Sequence, residues 1–162
     1  MLNNVTMKSK DSISAKLAEV FITIGENRYN VMQMINFEAK FEKKKTKVAI
    51  LGKTGSGNKS TGWEGTFSAT MHYNTSIFRQ MMLDFKETGA DEYFEIQVTN
   101  DDPSSAAGRQ TMIFFDCNID GGILAKFDAN SEDPLDEDVS GTFEDFQMPE
   151  SFKLFDIIFS PL

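Results

Sequence analysis

From Trp63 to Tyr73 the chain alternates without a break. Trp63, Gly65, Phe67, Ala69, Met71 and Tyr73 fall on one side, and Glu64, Thr66, Ser68, Thr70 and His72 on the other. A period of two sustained over such a stretch serves core and solvent together only as a half-buried strand. The period then changes. Phe78, Met81, Met82 and Phe85 recur at i, i+3, i+4 and i+7, which puts them on one face of a helix. Asn74 or Thr75 offers a side-chain oxygen for its N-cap, and Gly89 supplies a left-handed stop. This strand running into the one expected helix sets the frame, and the remaining segments read as strands that pack around it.

At 162 residues and 40% hydrophobic content, the chain is one domain with enough apolar matter for a sizeable core. Fifteen Phe suit strands, and only four Pro argue against long disordered linkers. Residues 1–14 are polar and read as a flexible N-terminal arm; 15–162 read as a single β-rich domain. The net charge of −9 argues against tight binding to a nucleic-acid backbone, which needs clustered cations. The single cysteine, Cys117, cannot form an intrachain disulfide and shares a strand face with Thr111, Ile113, Phe115 and Ile119, so a buried, inert thiol is expected. The first residues lack an apolar signal core, and no apolar run approaches the ~20 residues of a membrane helix. Synthesis in a cytoplasm and no stable membrane association are the expectations.

In chain order, Ala15–Ile24 reads as a first strand with a turn at Gly25–Arg28. Tyr29–Glu42 reads as one long strand. Tyr29, Val31, Ile35, Phe37, Ala39 and Phe41 mark its apolar face, and Asn30, Met32, Met34, Asn36, Glu38, Lys40 and Glu42 the other. Such length suits a barrel wall or a sheet shared between subunits. The run Lys43-Lys44-Lys45-Thr46-Lys47 reads as a solvated strand edge or as a contact with an acidic neighbour. Gly52–Gly62 imitates a phosphate-binding loop, but Asn58 intervenes before Lys59-Ser60 and a strand follows where a helix is required. It reads instead as a long loop between strands, long enough to have a task in assembly.

After the helix, Asp91–Thr99 reads as a strand, Asn100–Gln110 as a loop, and Thr111–Ile119 with Ile123–Ala129 as a hairpin around Asp120-Gly121-Gly122. The acidic stretch Asp128–Asp138 lacks the glycine and glutamate of a calcium loop and reads as a solvated loop. His72 is the one histidine, and no acid–base pair, nucleophile set or metal set stands out. No catalytic residue and no cofactor is assigned. The segment Ser151–Leu162 crowds Phe152, Leu154, Phe155, Ile157, Ile158 and Phe159 together, too much apolar surface for a free tail. It would close its own sheet or dock on a neighbour.

The stretch Gly141-Thr142-Phe143-Glu144-Asp145-Phe146-Gln147-Met148-Pro149-Glu150 resembles the C-terminal signature of tail tube proteins from contractile phage tails of the PBSX-like prophage type. Other segments agree in order: the lysine run, the Gly/Lys/Thr-rich segment ending Ser60-Thr61-Gly62, the helix with Met81-Met82, Asp91-Glu92-Tyr93-Phe94, and the loop with Asp101-Asp102 and Ser104-Ser105. The resemblance spans roughly residues 12–150 and extends to R-type bacteriocin and type VI secretion tube proteins.

It implies a mainly β fold, a sandwich or barrel of two packed sheets with one flanking helix. Hexameric rings would share an inner β-barrel and stack into a hollow tube inside a sheath. Such a tube conducts DNA without specific binding, or permeabilises a target cell. Implied partners are further copies of the chain, the tail sheath protein, and baseplate, tape-measure and terminator proteins; the implied location is a virion tail or tail-like particle. On this reading Asn36, Glu38, Lys40 and Glu42 are candidates for the lumen face. Lys44, Lys45, Lys53, Lys59, Phe152, Phe155 and Phe159 are candidates for contacts between subunits or rings. The alternative is a monomeric β-barrel binding a small ligand in an enclosed apolar pocket. An enzyme ranks below both, for want of a coherent acid–base or metal set.

Overall fold

The computed structural model describes residues 7–153. Its strands are β1 (Ala18–Ile24), β2 (Asn27–Asn30), β3 (Met34–Ala49), β4 (Ser56–His72), β5 (Phe94–Asp101), β6 (Arg109–Gly121), β7 (Asp136–Phe143) and β8 (Asp145–Glu150). One helix, α1 (Ile77–Thr88), joins β4 to β5, and a 3-10 turn covers Ser9–Asp11. The strands pair antiparallel in the order β2-β1-β5-β6-β7-β4-β3, with β8 also beside β6.

The two expected sheets are two halves of this one sheet, and β6 belongs to both. Its Arg109–Cys117 portion pairs with β5, and Asn118–Gly121 with β7. Near the end of the first portion Asp116 takes a positive φ of 53°, and the β5 ladder slips between Phe94 and Ile96. An extra residue of this kind bends and twists its strand. The two halves are thereby brought face to face. Phe114 of β6 lies 4.9 Å from Phe143 of β7, Phe37 of β3 lies 5.9 Å from Phe114, and Phe67 of β4 lies 6.2 Å from Phe94 of β5. Ile22, Met71, Ile96 and Cys117 are fully enclosed among them. Burial pushes the Cys117 thiol up to about 12.

The alternation from Trp63 is realised in β4, with Gly65, Phe67, Ala69 and Met71 buried and Glu64, Thr66, Ser68 and His72 exposed. Two glycines let rings lie flat on the sheet. A Cβ at Gly65 would enter the Phe143 ring, and one at Gly141 would collide with the Asn118 carbonyl and the Phe67 ring. Helix α1 buries Phe78 and Met81, and Phe78 sits 6.0 Å from Phe94. Its face fades toward the C-terminus, where Phe85 is half exposed. Gly89 ends the helix at φ 72°, donating to the Phe85 carbonyl. The N-cap is Ser76, not Asn74 or Thr75, although the Thr75 hydroxyl does accept from the Ile77 N–H at 3.5 Å.

Several boundaries differ from expectation. The long strand Tyr29–Glu42 is broken at Val31–Gln33, where the Val31 N–H donates to the Val20 carbonyl and Met34 begins β3. A bulge between Met34 and Asn36 then turns Met34 toward the core and leaves Ile35 half exposed, the reverse of the simple alternation. Gly52–Gly62 is not a loop: Ser56–Gly62 is the first part of β4, and the hairpin turns within 50–55. Ile123–Ala129 forms no strand, because β6 finds its partners in β5, β7 and β8 instead. The acidic stretch ends inside β7, which takes Asp136, Glu137 and Asp138. A bend at Glu144, whose N–H donates to the Phe115 carbonyl, divides β7 from β8.

Of the expected arm, the described part is hydrogen-bonded to the β5–β6 connection. The Ala106 N–H donates to the Lys10 carbonyl at 2.7 Å, and the buried Asp102 carboxylate accepts from the Ser14 N–H at 2.9 Å.

Candidate assembly surfaces

Alternation in β3, β4 and β7 sends every second side chain away from the core, and register aligns these side chains into rows. Lys40 stands opposite Thr66, which stands opposite Thr142, and Asn118 of β6 completes the row. Glu38, Ser68 and Ser140 form the next row, and Asn36, Thr70 and Asp138 the one beyond. His72 pairs with Asp136, and Glu42 with Glu64. The face is entirely polar. Glu38, Glu42, Glu64, Asp136 and Asp138 put five carboxylates on it against the ammonium of Lys40, and Lys44 reaches Glu64 at 3.9 Å from the ribbon end.

The groups on this face bond chiefly to one another. Lys40 Nζ is 3.1 Å from Glu38, His72 Nδ1 is 3.2 Å from Asp136, and the Thr70 hydroxyl donates to Asp138 at 2.7 Å. The side-chain Oδ1 of Asn36 accepts the Thr70 N–H at 3.1 Å, filling the gap that the bulge leaves in the ladder. All four residues expected on a polar strand face, Asn36, Glu38, Lys40 and Glu42, are exposed on this one surface. Among the described residues, β3 pairs only with β4, so its other edge is free along Met34–Ala49. The buried side of this same sheet half carries Phe37, Phe67, Met71, Val139 and Phe143.

Beyond Trp63 the β3–β4 hairpin leaves the body of the domain. Lys43–Ala49 and Ser56–Trp63 pair only with each other, and every residue there is exposed except Gly57. At about 3.4 Å per residue this ribbon projects ~20 Å. It carries Lys43, Lys44, Lys45, Lys47, Lys53 and Lys59 and no carboxylate. Lys44 and Lys45 flank a bulge, Lys59 lies opposite Thr46, and Lys53 stands in the turn. Three of its apolar side chains are also open to solvent: Val48, Ile50 and the fully exposed Leu51. An isolated two-stranded ribbon is marginal in water, so one this long and this exposed suits a surface that packs elsewhere.

An aromatic cluster that no spacing indicated holds the base of the ribbon. Phe41 stacks on Trp63 at 4.9 Å, and Phe146 of β8 meets both edge-on at 5.7 Å. A second feature escaped the sequence reading. Glu137 points inward from β7, 3% exposed, and pairs with Arg79 of α1. Arg79 also donates to the Thr75 carbonyl and lies 4.3 Å above the Tyr73 ring. The period Glu137, Val139, Gly141, Phe143 marks Glu137 as inward, but the neighbouring acids hid it. Of the apolar contact candidates, Phe152 is half-buried, while Phe155 and Phe159 lie outside the described residues. No group of three or more His, Cys, Asp or Glu among the described residues is placed to hold a metal.

Comparison with known proteins agrees with this architecture. A family model described as phage tail tube protein matches residues 5–150. The phage-like element PBSX protein XkdM of Bacillus subtilis is 38% identical over 146 residues, which is 90% of this chain and 96% of that protein. Two solved structures share the fold at 9% identity. One comes from the anti-feeding prophage baseplate, with a TM-score of 0.66 over 88% of this chain and 97% of that one. The other comes from the sheath–tube complex of an extracellular contractile injection system, with a TM-score of 0.61 over 86% and 92%. The match to the family along most of the chain, and the close relation to XkdM, establish that the chain belongs to the phage tail tube proteins.

Proposed function

We propose that this chain is the repeating subunit of a contractile tail tube. Six copies close into a ring, their β3–β4–β7 faces line the bore, and the β3–β4 ribbon reaches the next ring in the stack. The observation that carries the reading is the division of one sheet half into a wholly polar, carboxylate-rich face and an aromatic core face, beside a long free edge at β3. A bore with that face repels the phosphates of passing DNA and holds none of them. Joining the β3 edge to a neighbouring sheet supplies partners for its open N–H and C=O groups. Ring number is supported by the six-fold symmetry applied to the anti-feeding prophage baseplate.

The role is mechanical, with no reaction catalysed. The sheath, baseplate, tape-measure and terminator proteins are the expected partners. A sheath–tube complex and a tube-terminating cap among the structures of like fold support that set. The particle assembles in a bacterial host, and the chain resides in its tail.

Electron microscopy of the full chain at rising concentration, with and without a ribbon trimmed between Lys44 and Gly62, tests the reading. Six-fold rings and hollow tubes from the parent are expected, with rings but no long tubes from the trimmed chain. A reconstruction that placed Glu38, Thr66 and Ser140 on the outer wall would overturn the bore assignment. Tubes of unchanged length from the trimmed chain would overturn the role of the ribbon.

A further inference from the structure

The charge of the β3–β4 ribbon is unanswered within its own chain. Among the described residues, Lys44 alone of its lysines has a carboxylate within reach, that of Glu64 at the base. At the tip, Lys47 and Lys53 bracket Val48, Ile50 and Leu51 in sequence. All three apolar side chains are open to solvent, Leu51 fully. The tip is thus an apolar knob flanked by cations that lack partners.

A cleft of the opposite charge lies farther along the same sheet half. Helix α1 and the last residues of β6 enclose about 360 Å3, a small binding cleft. Met81, Met82, Phe85 and Ile119 give it apolar walls, and Phe85 is half exposed. Asp91, Glu92 and Asp120 line it as exposed carboxylates, and none of them pairs with a cation among the described residues. Asn118, also in the lining, belongs to a row of the polar face, so the cleft opens beside that face. Register fixes its position. Gly121 of β6 stands opposite Ser140 of β7, which stands opposite Ser68 of β4. From Trp63, where the ribbon leaves the domain, Ser68 is about 17 Å along the strand in the direction away from the tip.

We propose that the ribbon tip of one copy seats in this cleft of a second copy. Leu51 and Ile50 lie against Met82 and Phe85, and Lys47 and Lys53 face Asp91, Glu92 and Asp120. The assignment names the partner surface of the ribbon, and it rests on the tube reading above. Two features of the chain argue for it. Cations without partners meet carboxylates without partners, around an apolar centre that both sides leave uncovered, which is the usual anatomy of a specific interface. Knob and cleft also lie in opposite directions along β4. Used head to tail, such a contact repeats from copy to copy without closing, as a stack requires.

Cysteine pairing between full chains tests it. Leu51→Cys and Glu92→Cys are made in separate chains, mixed and oxidised; Cys117 is buried and stays out of the exchange. A disulfide from position 51 of one copy to position 92 of another is expected at least about tenfold in excess of either homodimer. Adding Lys47→Glu and Lys53→Glu to the first chain should abolish that excess. Homodimers in equal yield, or no link between 51 and 92, would overturn the proposal. Charge exchange gives a second readout. Asp91→Lys, Glu92→Lys and Asp120→Lys together should leave rings intact and raise the concentration at which tubes appear by about tenfold or more. Lys47→Glu and Lys53→Glu in that same chain should restore most of the loss. Tubes at the parental concentration from the cleft variant would refute the cleft and leave the ribbon's own role standing. A parent that forms neither rings nor tubes would refute the tube, and the cysteine pair would still decide the contact. Should the cleft variant fail to fold, the cysteine pair decides.

Discussion

Replacing Arg79 by Met should be among the most damaging single changes in the domain, although Arg79 touches no proposed assembly surface. Glu137 is 3% exposed, and its Oε1 has no hydrogen-bond partner among the described residues. Its other oxygen is held by Arg79, itself mostly covered. Methionine keeps the aliphatic stem and removes the charge, the hydrogen bond to the Thr75 carbonyl and the stacking over Tyr73. Removing one partner of a buried ion pair costs about 3–5 kcal/mol, because the other charge stays buried. For a domain whose whole stability is about 5–15 kcal/mol that is a large share. It corresponds to a Tm drop of roughly 6–20 °C at this size. Urea unfolding of Arg79→Met, Glu137→Leu and the double variant measures it. The double variant should recover most of the loss, since no charge remains buried. A cost below about 1 kcal/mol for Arg79→Met, or strictly additive single costs, would refute the argument that this pair pins α1 to β7.

Three further outcomes follow from the same geometry. Gly141→Ala should destabilise by at least about 1–3 kcal/mol, read by urea unfolding, because its Cβ meets the backbone carbonyl of Asn118, which cannot rotate aside, as well as the buried Phe67 ring. Cys117 should resist thiol reagents until the protein unfolds. Its folded pKa is raised to about 12 from 9.0, so above pH 9 the unfolded chain loses its proton first and stability falls toward pH 12, by up to about 1.4 kcal/mol per pH unit. Cys117→Ala should flatten that slope in urea unfolding between pH 9 and pH 11. Charge reversal at Lys44, Lys45, Lys53 and Lys59 together should leave the Tm within a few degrees and shorten or abolish tubes seen by electron microscopy, since all four lie on the exposed ribbon.

What the sequence disclosed followed its periodicities. The unbroken alternation from Trp63 to Met71 located the core of β4, and the i, i+3, i+4 spacing located α1. The four polar residues from Asn36 to Glu42 do share one exposed surface. What it hid needed a third dimension. The bulge at Met34–Asn36 inverts two side chains without any composition signal, and the corner at Asp116 joins two sheets that counting keeps apart. Glycine clusters in Gly52–Gly62 suggested a loop, but Gly57 and Gly62 sit in a paired strand, where Gly57 adjoins the Ile50 side chain and Gly62 stands opposite Lys44. The acid-rich stretch concealed one buried carboxylate, Glu137, because the run of acids on both sides masks the alternation of β7 that turns it inward. Gly141, in the stretch that resembles the family's signature, owes its identity to the close approach of β6 to β7.

The distribution of charge ties the two proposed surfaces together. The six lysines between Lys43 and Trp63 carry +6, so the rest of the chain carries −15, which is −9 less +6. In the proposed tube, a bore face rich in carboxylates would serve a passing polyanion, but rings that acidic would repel one another across a stack. Concentrating cations on one projecting ribbon answers that repulsion locally, while the bore stays acidic. The ribbon's own lysines repel one another in the free subunit, and its exposed Ile50 and Leu51 gain nothing there. Both terms reverse once the ribbon lies against an acidic neighbour. Added salt therefore acts in two directions: it screens ring–ring repulsion, and it weakens the ribbon's attraction across about 10 Å at 0.1 M. Tube yield should pass through a maximum with ionic strength. Reversing the ribbon's charges should remove the maximum and leave only a rise. A parent yield that climbs steadily with salt would assign stacking to the apolar tip alone.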